Sequence, residues 1–166
     1  MSEPPVFPSA QWDDLHVTFQ PFPLPNAGAR PFAVVVFARS GDSFVLADIP
    51  DRGWITPSGR IELGESAREA AIRETWEEVG GLLEEPHEIG YYEMRSEDGV
   101  IRRAVAFVGH VREFGAIPPE SESRGARLAS LDELPGLYWR WDALLEAMFG
   151  FANSQIPFSQ PLDETS

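Results

Sequence analysis

Three glutamates lie close together in the segment "SAREAAIRETWEEVGG", where Glu77 and Glu78 follow Glu74 by three and four positions. In a helix, which turns about 100° per residue, their carboxylates point into one sector. Like charges so close raise one another's pKa, and a divalent cation reverses that repulsion. Oxygen ligands favour Mg²⁺ or Mn²⁺ over zinc, because the segment has neither thiol nor imidazole. Taken alone, the three glutamates are compatible with a metal site and with a solvated acidic face, which is the more common role of such a run of charge.

The ends of this helix are marked in the sequence. Ser66 and Glu69 have the spacing of a capping box, and Gly80 with Gly81 supplies a stop. No glycine or proline interrupts the residues between them. We therefore predict a helix over residues 67–79.

A longer pattern of fixed residues contains the three glutamates: Gly59, Glu65, Arg73, Glu74, Glu77, Glu78 and Gly80. From Gly59 to Gly81 it resembles the box of the Nudix hydrolase family, G-x5-E-x7-R-E-U-x-E-E-x-G-U, where U is aliphatic. The probability that this spacing arises by chance is on the order of 10⁻⁸ per starting position. Two positions depart from the pattern, since Thr75 and Gly81 occupy aliphatic sites. The approach "WITPSG" and the later "LASLDELP" extend the resemblance to roughly residues 31–149.

The resemblance implies an α+β fold, an α/β/α sandwich with a central mixed β-sheet in which the box forms a loop and a helix. It also implies divalent metal, Mg²⁺ with Mn²⁺ as an alternative. The implied metal ligands are the carboxylates of Glu74, Glu77 and Glu78 and the backbone carbonyl of Gly59. Arg73 and Glu65 would orient those ligands, against the alternative of an ordinary surface ion pair.

The implied reaction is hydrolysis of a pyrophosphate bond in a nucleoside diphosphate derivative. The general base would be either a box glutamate or a glutamate on a later loop. The loop "PPESES" offers Glu120 and Glu122, of which Glu122 better matches the family position. Arg102, Arg103 and Trp54 are candidates for contacts to substrate.

The substrate itself stays open at this point. The modest chain size slightly favours a MutT-like pyrophosphatase that acts on a nucleoside triphosphate. ADP-ribose, sugar nucleotides and dinucleotides are the alternatives. A nucleotide-binding sensor without turnover is a further class, although such modules commonly lose box carboxylates.

The rest of the chain supplies the elements that position the box. We predict a Pro-rich N-terminal segment over residues 1–30 with one strand at 15–22, a hydrolase domain over 31–150, and a flexible tail over 151–166. Apolar runs predict a hairpin at residues 31–49 and a second at 87–111. An amphipathic helix is predicted over 141–149.

The composition of the chain limits the classes of partner that it can bind. The net charge of −14 disfavours binding to a long nucleic acid, and the predicted partner is a small nucleotide. The chain has no cysteine and no apolar run long enough to span a bilayer, so we expect a cytoplasmic protein that avoids membranes. It would act as a monomer or a homodimer.

Overall fold

The computed structural model describes residues 5–25 and 30–155, which form nine strands and three helices. The strands are β1 (Ala10–Trp12), β2 (Leu15–Gln20), β3 (Ala33–Ser40), β4 (Ser43–Ile49), β5 (Gly53–Ile55), β6 (Ser58–Arg60), β7 (Gly81–Arg95), β8 (Ile101–Phe114) and β9 (Ala126–Ala129). The helices are α1 (Ala67–Val79), α2 (Leu134–Leu137) and α3 (Ala143–Gln155). None of the helices within these residues is long and apolar enough to cross a membrane.

All nine strands belong to one mixed sheet. Its main path is β1-β2-β7-β8-β3-β4-β5, while β6 pairs with β3 and β9 pairs with β4. β3 and β8 are parallel, and the other pairs are antiparallel. β4 pairs with β3 only at Arg39 and Ser40, because β6 occupies the same side of β3 nearer its start. This pairing brings the first residues of the box into the sheet.

Helices cover both faces of the sheet, as the α/β/α prediction requires. On one face the α1-side core includes Val34, Val36, Val45, Ala70, Ala71, Val79 and Phe107. On the other face the α3-side core includes Phe37, Phe44, Leu46, Leu144, Met148 and Phe149. Successive residues of a strand point to opposite faces, so β3 is largely apolar because both of its faces are buried.

The predicted elements can be compared with these bounds. The helix over 67–79 is confirmed, as are the two hairpins, β3 with β4 and β7 with β8. The predicted helix over 141–149 is wrong at both ends, since α3 covers Ala143–Gln155. It begins after Asp142, whose side chain caps it by accepting from the amide of Leu145 at 2.8 Å.

Parts of the predicted N-terminal segment and of the predicted tail lie within the described residues. β1 and β2 join the sheet, and Val17 and Phe19 of β2 are buried in the α3-side core. At the other end, residues 151–155 form the last part of α3. The remainder of the predicted flexible tail lies outside the described residues.

Candidate active site

Helix α1 is fixed at both ends by the groups that its sequence indicated. The hydroxyl of Ser66 accepts from the amide of Glu69 at 3.0 Å, and Glu69 accepts from the amide of Ser66 at 3.3 Å. At the other end Gly80 adopts φ 68°, a left-handed conformation that favours glycine, and donates to the carbonyl of Trp76. These caps set the first and last residues of α1.

Arg73 joins the box loop to the helix. Its Nε and Nη2 donate to the two carboxylate oxygens of Glu65 at 2.7 and 2.9 Å, a bidentate pair. Nη2 also donates to the carbonyl of Arg60 at 2.9 Å. The hydrogen bond from Arg73 lowers the pKa of Glu65, and Glu65 in turn raises the pKa of Arg73. The loop from Arg60 to Glu65 is thereby anchored to α1.

Arg73 also contacts two of the three helix carboxylates. Its Nη1 donates to Oε1 of Glu74 at 2.8 Å and to Oε2 of Glu77 at 3.2 Å. Glu74 is buried, and this burial raises its pKa although Arg73 acts in the opposite direction. One guanidinium therefore supplies the positive charge beside both carboxylates.

Gly59 of β6 lies directly against the carboxylate of Glu74. A methyl group built on Gly59 would overlap Oε1 and Cδ of Glu74. Because φ is not unusual at this position, the need for glycine comes from the close approach and not from the backbone conformation. Gly59 and Glu74 thus form a tight contact between the sheet and the helix.

Glu78 is the most deeply buried carboxylate of the site, with 7% of its surface exposed. Its Oε1 accepts from the amide of Ser58 at 3.4 Å, whereas Oε2 is buried without a hydrogen-bond partner among the described residues. Burial, followed by the charge of Glu74, raises the pKa of Glu78 to about 9. A buried carboxylate oxygen with no partner is costly, so this site needs a proton or a cation.

These carboxylates fit a divalent metal by their chemistry. The donors are hard oxygens, and Oε2 of Glu78, which has no hydrogen-bond partner among the described residues, is available to coordinate a cation. Within residues 5–25 and 30–155, however, no three acidic, histidine or cysteine side chains form a ready metal cage. The carboxylates of Glu74 and Glu77 are instead hydrogen-bonded to Arg73.

The two loop glutamates differ in their relation to this cluster. Both Glu120 and Glu122 are exposed. The charge of Glu122 contributes, after larger causes, to the raised pKa of Glu78. Glu120 makes no hydrogen bond or ion pair within the described part of the chain.

The three expected substrate contacts, Arg103, Arg102 and Trp54, each interact with residues outside the box. Arg103 pairs with Glu93 at 3.1 Å. Arg102 stacks on Phe32, with its Cζ 4.8 Å from the ring centroid. Trp54 packs on the α3-side core, and its carbonyl accepts from the amide of Trp139.

The two departures from the box pattern have physical reasons. Thr75 is buried, and its hydroxyl donates to the carbonyl of Ala71 at 2.7 Å, so a polar side chain is accommodated there. A side chain at Gly81 would overlap Val111 of β8, so an aliphatic residue has no room. Neither departure changes a charged position.

The sequence did not reveal two further supports of the site. The amide of Ser58 contacts Glu78, which a side-chain pattern does not indicate. The hydroxyl of Tyr138 lies 3.2 Å from the hydroxyl of Thr56 and accepts from its amide at 3.3 Å. Tyr138 therefore ties the segment before the box to a distant part of the chain, a contact that no local signal predicts.

Comparisons with known proteins agree with this geometry. The family model for the NUDIX domain matches residues 29–148. A Bacillus subtilis protein provisionally named an 8-oxo-dGTP diphosphatase is 35% identical over 77 residues, which cover 46% of this chain and 49% of that protein. An RNA pyrophosphohydrolase from Gluconobacter oxydans is 29% identical over 138 residues, covering 76% and 77% of the two chains.

A solved structure shares the fold. It is a point mutant of the Bacillus subtilis pyrophosphohydrolase BsRppH, with a TM-score of 0.71 at 21% identity, covering 84% of this chain and 89% of that one. The chain spans about half the length of the first curated relatives it matches. Since the family model matches well over half of the chain, the chain belongs to the NUDIX domain family, whose hydrolases generally use divalent metal ions.

Proposed function

We propose that this chain is a Mg²⁺-dependent pyrophosphohydrolase that cleaves a pyrophosphate bond in a nucleoside diphosphate derivative. The observation that carries this proposal is the pair of buried carboxylates, Glu74 and Glu78, with a buried oxygen of Glu78 left unpartnered among the described residues. A purely structural helix gains nothing from such a pair, because burying charge without a partner opposes folding.

The proposed roles follow from the contacts. Glu74, Glu77 and Glu78 hold Mg²⁺, or Mn²⁺, together with the carbonyl of Gly59. A divalent metal held there would supply charge neutralisation of phosphate oxygens and a water molecule of lowered pKa. Arg73, fixed by Glu65, would position the helix carboxylates.

The general base is proposed to be Glu122 or a box glutamate. Glu122 is exposed, on a loop, and close enough for its charge to act on Glu78. A loop position suits a base that must approach a water molecule, whereas the buried Glu78 suits a ligand. Glu120 has no such relation to the site and is the weaker candidate.

For the substrate we favour a nucleoside triphosphate. One relative carries a name that refers to 8-oxo-dGTP, which supports a triphosphate group over a sugar nucleotide. ADP-ribose, sugar nucleotides and dinucleotides are the alternatives within the same reaction. A cytoplasmic location and a monomeric or dimeric state stay predictions.

The test is a panel assay of the purified protein with Mg²⁺ or Mn²⁺. The panel contains nucleoside triphosphates, including oxidised ones, a 5′-triphosphate RNA, ADP-ribose, sugar nucleotides and dinucleotides. We expect turnover of a triphosphate that is lost in EDTA and in Glu77→Gln. Tight nucleotide binding with no product from any substrate would overturn the proposal and favour a sensor.

A further inference from the structure

The approach segment, residues 54–59, carries the first groups of the box to the helix carboxylates. The amide of Ser58 donates to Oε1 of Glu78 at 3.4 Å, and Gly59 lies against the carboxylate of Glu74. Both residues of the segment belong to β6, which pairs with β3. The position of this segment therefore sets where its backbone groups lie relative to the two carboxylates.

Strand pairing does not hold the middle of the approach segment. β5 ends and β6 begins on either side of Thr56 and Pro57, and Pro57 has no amide hydrogen to donate. The carbonyl of Pro57 accepts from the amide of Val36 at 2.8 Å. Thr56 is buried, with 4% of its surface exposed, so its amide needs an acceptor from elsewhere in the fold. The hydroxyl of Tyr138 is that acceptor, at 3.3 Å.

The hydroxyl of Tyr138 meets Thr56 at two atoms. Besides accepting from the amide, it lies 3.2 Å from Oγ1 of Thr56, so it can donate its own proton there. The pKa of Tyr138 is raised, mainly because the hydroxyl is buried. The hydroxyl therefore keeps its proton at neutral pH and stays available as a donor as well as an acceptor.

The ring of Tyr138 is held by contacts that do not involve its hydroxyl. Its centroid lies 5.5 Å from that of Phe149 and 6.1 Å from that of Trp141, and its backbone forms a bridge with Trp54. A phenylalanine at this position would keep all of these contacts. Among the described residues, the hydroxyl bonds only to Thr56, so its contribution is to that residue and not to core packing.

We propose, on the basis of the function proposed above, that Tyr138 is a positioning residue for metal binding. Its hydroxyl holds the approach segment so that Ser58 and Gly59 keep the positions that the metal site requires. Without the hydroxyl, the buried amide of Thr56 has no acceptor, and the segment must move to find one. The free energy needed to restore the segment would then be subtracted from that of metal binding. Tyr138 thus sets the affinity for Mg²⁺ and not the rate of the metal-loaded enzyme.

The test is Tyr138→Phe, with Mg²⁺ titrated without substrate and the amides of Ser58 and Gly59 followed by NMR. We expect the Kd for Mg²⁺ to rise about tenfold, within the range of one lost hydrogen bond. The control is Tyr92→Phe, which removes the hydroxyl of a buried tyrosine with no hydrogen bond among the described residues. It should leave the Kd within about twofold of wild type. Thr56→Val, which keeps the amide and loses Oγ1, should raise the Kd about threefold and replaces Tyr138→Phe if that variant does not fold.

The dependence of activity on Mg²⁺ is a second measurement. For Tyr138→Phe, the Mg²⁺ concentration that gives half-maximal turnover should rise about tenfold, while kcat at saturating Mg²⁺ stays within about twofold of wild type. A purely structural role would lower the melting temperature of the metal-free protein and leave the Mg²⁺ dependence unchanged. An unchanged Kd in the folded variants, or a loss of kcat that Mg²⁺ does not restore, would overturn the inference.

The titration also separates this inference from the proposed function, because it needs no turnover. If the wild type hydrolyses nothing but the Kd rises in Tyr138→Phe, only the proposed function falls. If the wild type hydrolyses nucleotides and the variant binds Mg²⁺ as tightly, only the inference falls. A wild-type protein whose Ser58 and Gly59 amides do not respond to Mg²⁺ would overturn both.

Discussion

The two long helices cover opposite faces of one sheet and are held in different ways. Helix α3 buries large apolar side chains: Leu144, Leu145, Met148 and Phe149. Helix α1 buries small or polar ones: Ala70, Ala71, Thr75, Val79, Glu74 and Glu78. Each large apolar side chain that is fully buried contributes about 1.5–3 kcal/mol, so α3 gains far more from packing than α1 does.

The difference shows how a chemical site replaces core packing. Two of the buried positions of α1 hold carboxylates, which oppose folding when charged. The helix is secured by its caps and by the network of Arg73 with Glu65, which do not require an apolar face. We therefore expect changes in α3 to affect stability and changes in α1 to affect metal binding and turnover.

Phe149→Ala should produce the largest loss of stability. Phe149 is fully buried, with ring centroids 5.1 Å from Phe37 and 4.9 Å from Phe44. Truncating it should lower the free energy of unfolding by about 3–5 kcal/mol, measured by urea denaturation with and without Mg²⁺. The loss should be the same in both conditions. A loss below about 1 kcal/mol would show that α3 does not anchor the fold.

Glu78→Gln should separate activity from stability. We expect kcat to fall by at least ~10²-fold, because a metal ligand or base is removed. The metal-free variant should be no less stable than wild type, since a neutral amide is cheaper to bury than a carboxylate. Circular dichroism and urea denaturation check the fold. Near wild-type turnover by a folded variant would refute the assignment of Glu78.

Gly59→Ala tests the close approach of the sheet to Glu74. The added methyl group overlaps the carboxylate of Glu74, so that side chain must move. We expect kcat/KM to fall about tenfold, with weaker Mg²⁺ binding, for a displacement worth about 1.4 kcal/mol. Gly125→Ala is the matched control, because a methyl group there meets no neighbour. Equal behaviour of the two variants would contradict a tight Gly59–Glu74 contact.

Ser66→Ala should have the smallest effect of the four. The hydroxyl of Ser66 caps α1, and losing such a cap costs about 1 kcal/mol. Thermal denaturation measures this loss, with Ser154→Ala as an exposed serine control in α3. A loss confined to stability, with turnover retained, fits a cap that supports the helix without touching the chemistry. An unchanged melting temperature would mean that the cap is dispensable.

Local signals in the sequence were sufficient for α1. Ser66 with Glu69 caps one end and Gly80 the other, each through contacts to residues at most four positions away, so the predicted bounds of α1 are those of the structure. The spacing from Gly59 to Gly80 likewise identified the family, which the family model confirms. Patterns that are read along the chain succeed where the interactions are also local.

Contacts between strands that are distant in the sequence cannot be predicted from such local patterns. Arg60 of β6 and Arg102 of β8 both lie against the ring of Phe32, next to β3, and of these three residues the sequence pattern indicates only Arg102. The start of α3 was misplaced because Asp142, and not the apolar pattern, sets it. The burial of Glu78 depends on how α1 packs against β6, which charge spacing alone does not give.

The most direct test of the account is the free energy of unfolding measured at about pH 5 and about pH 8, with and without Mg²⁺. With its raised pKa of about 9, Glu78 keeps a proton in the folded state above the pH where the unfolded chain releases it. Stability of the metal-free protein should therefore fall as pH rises, because the folded state binds more protons. Mg²⁺ should reverse that trend by binding the ionised carboxylates, and Glu78→Gln should weaken both effects. Stability that is independent of pH and Mg²⁺ across this range would contradict a metal site at the buried carboxylates.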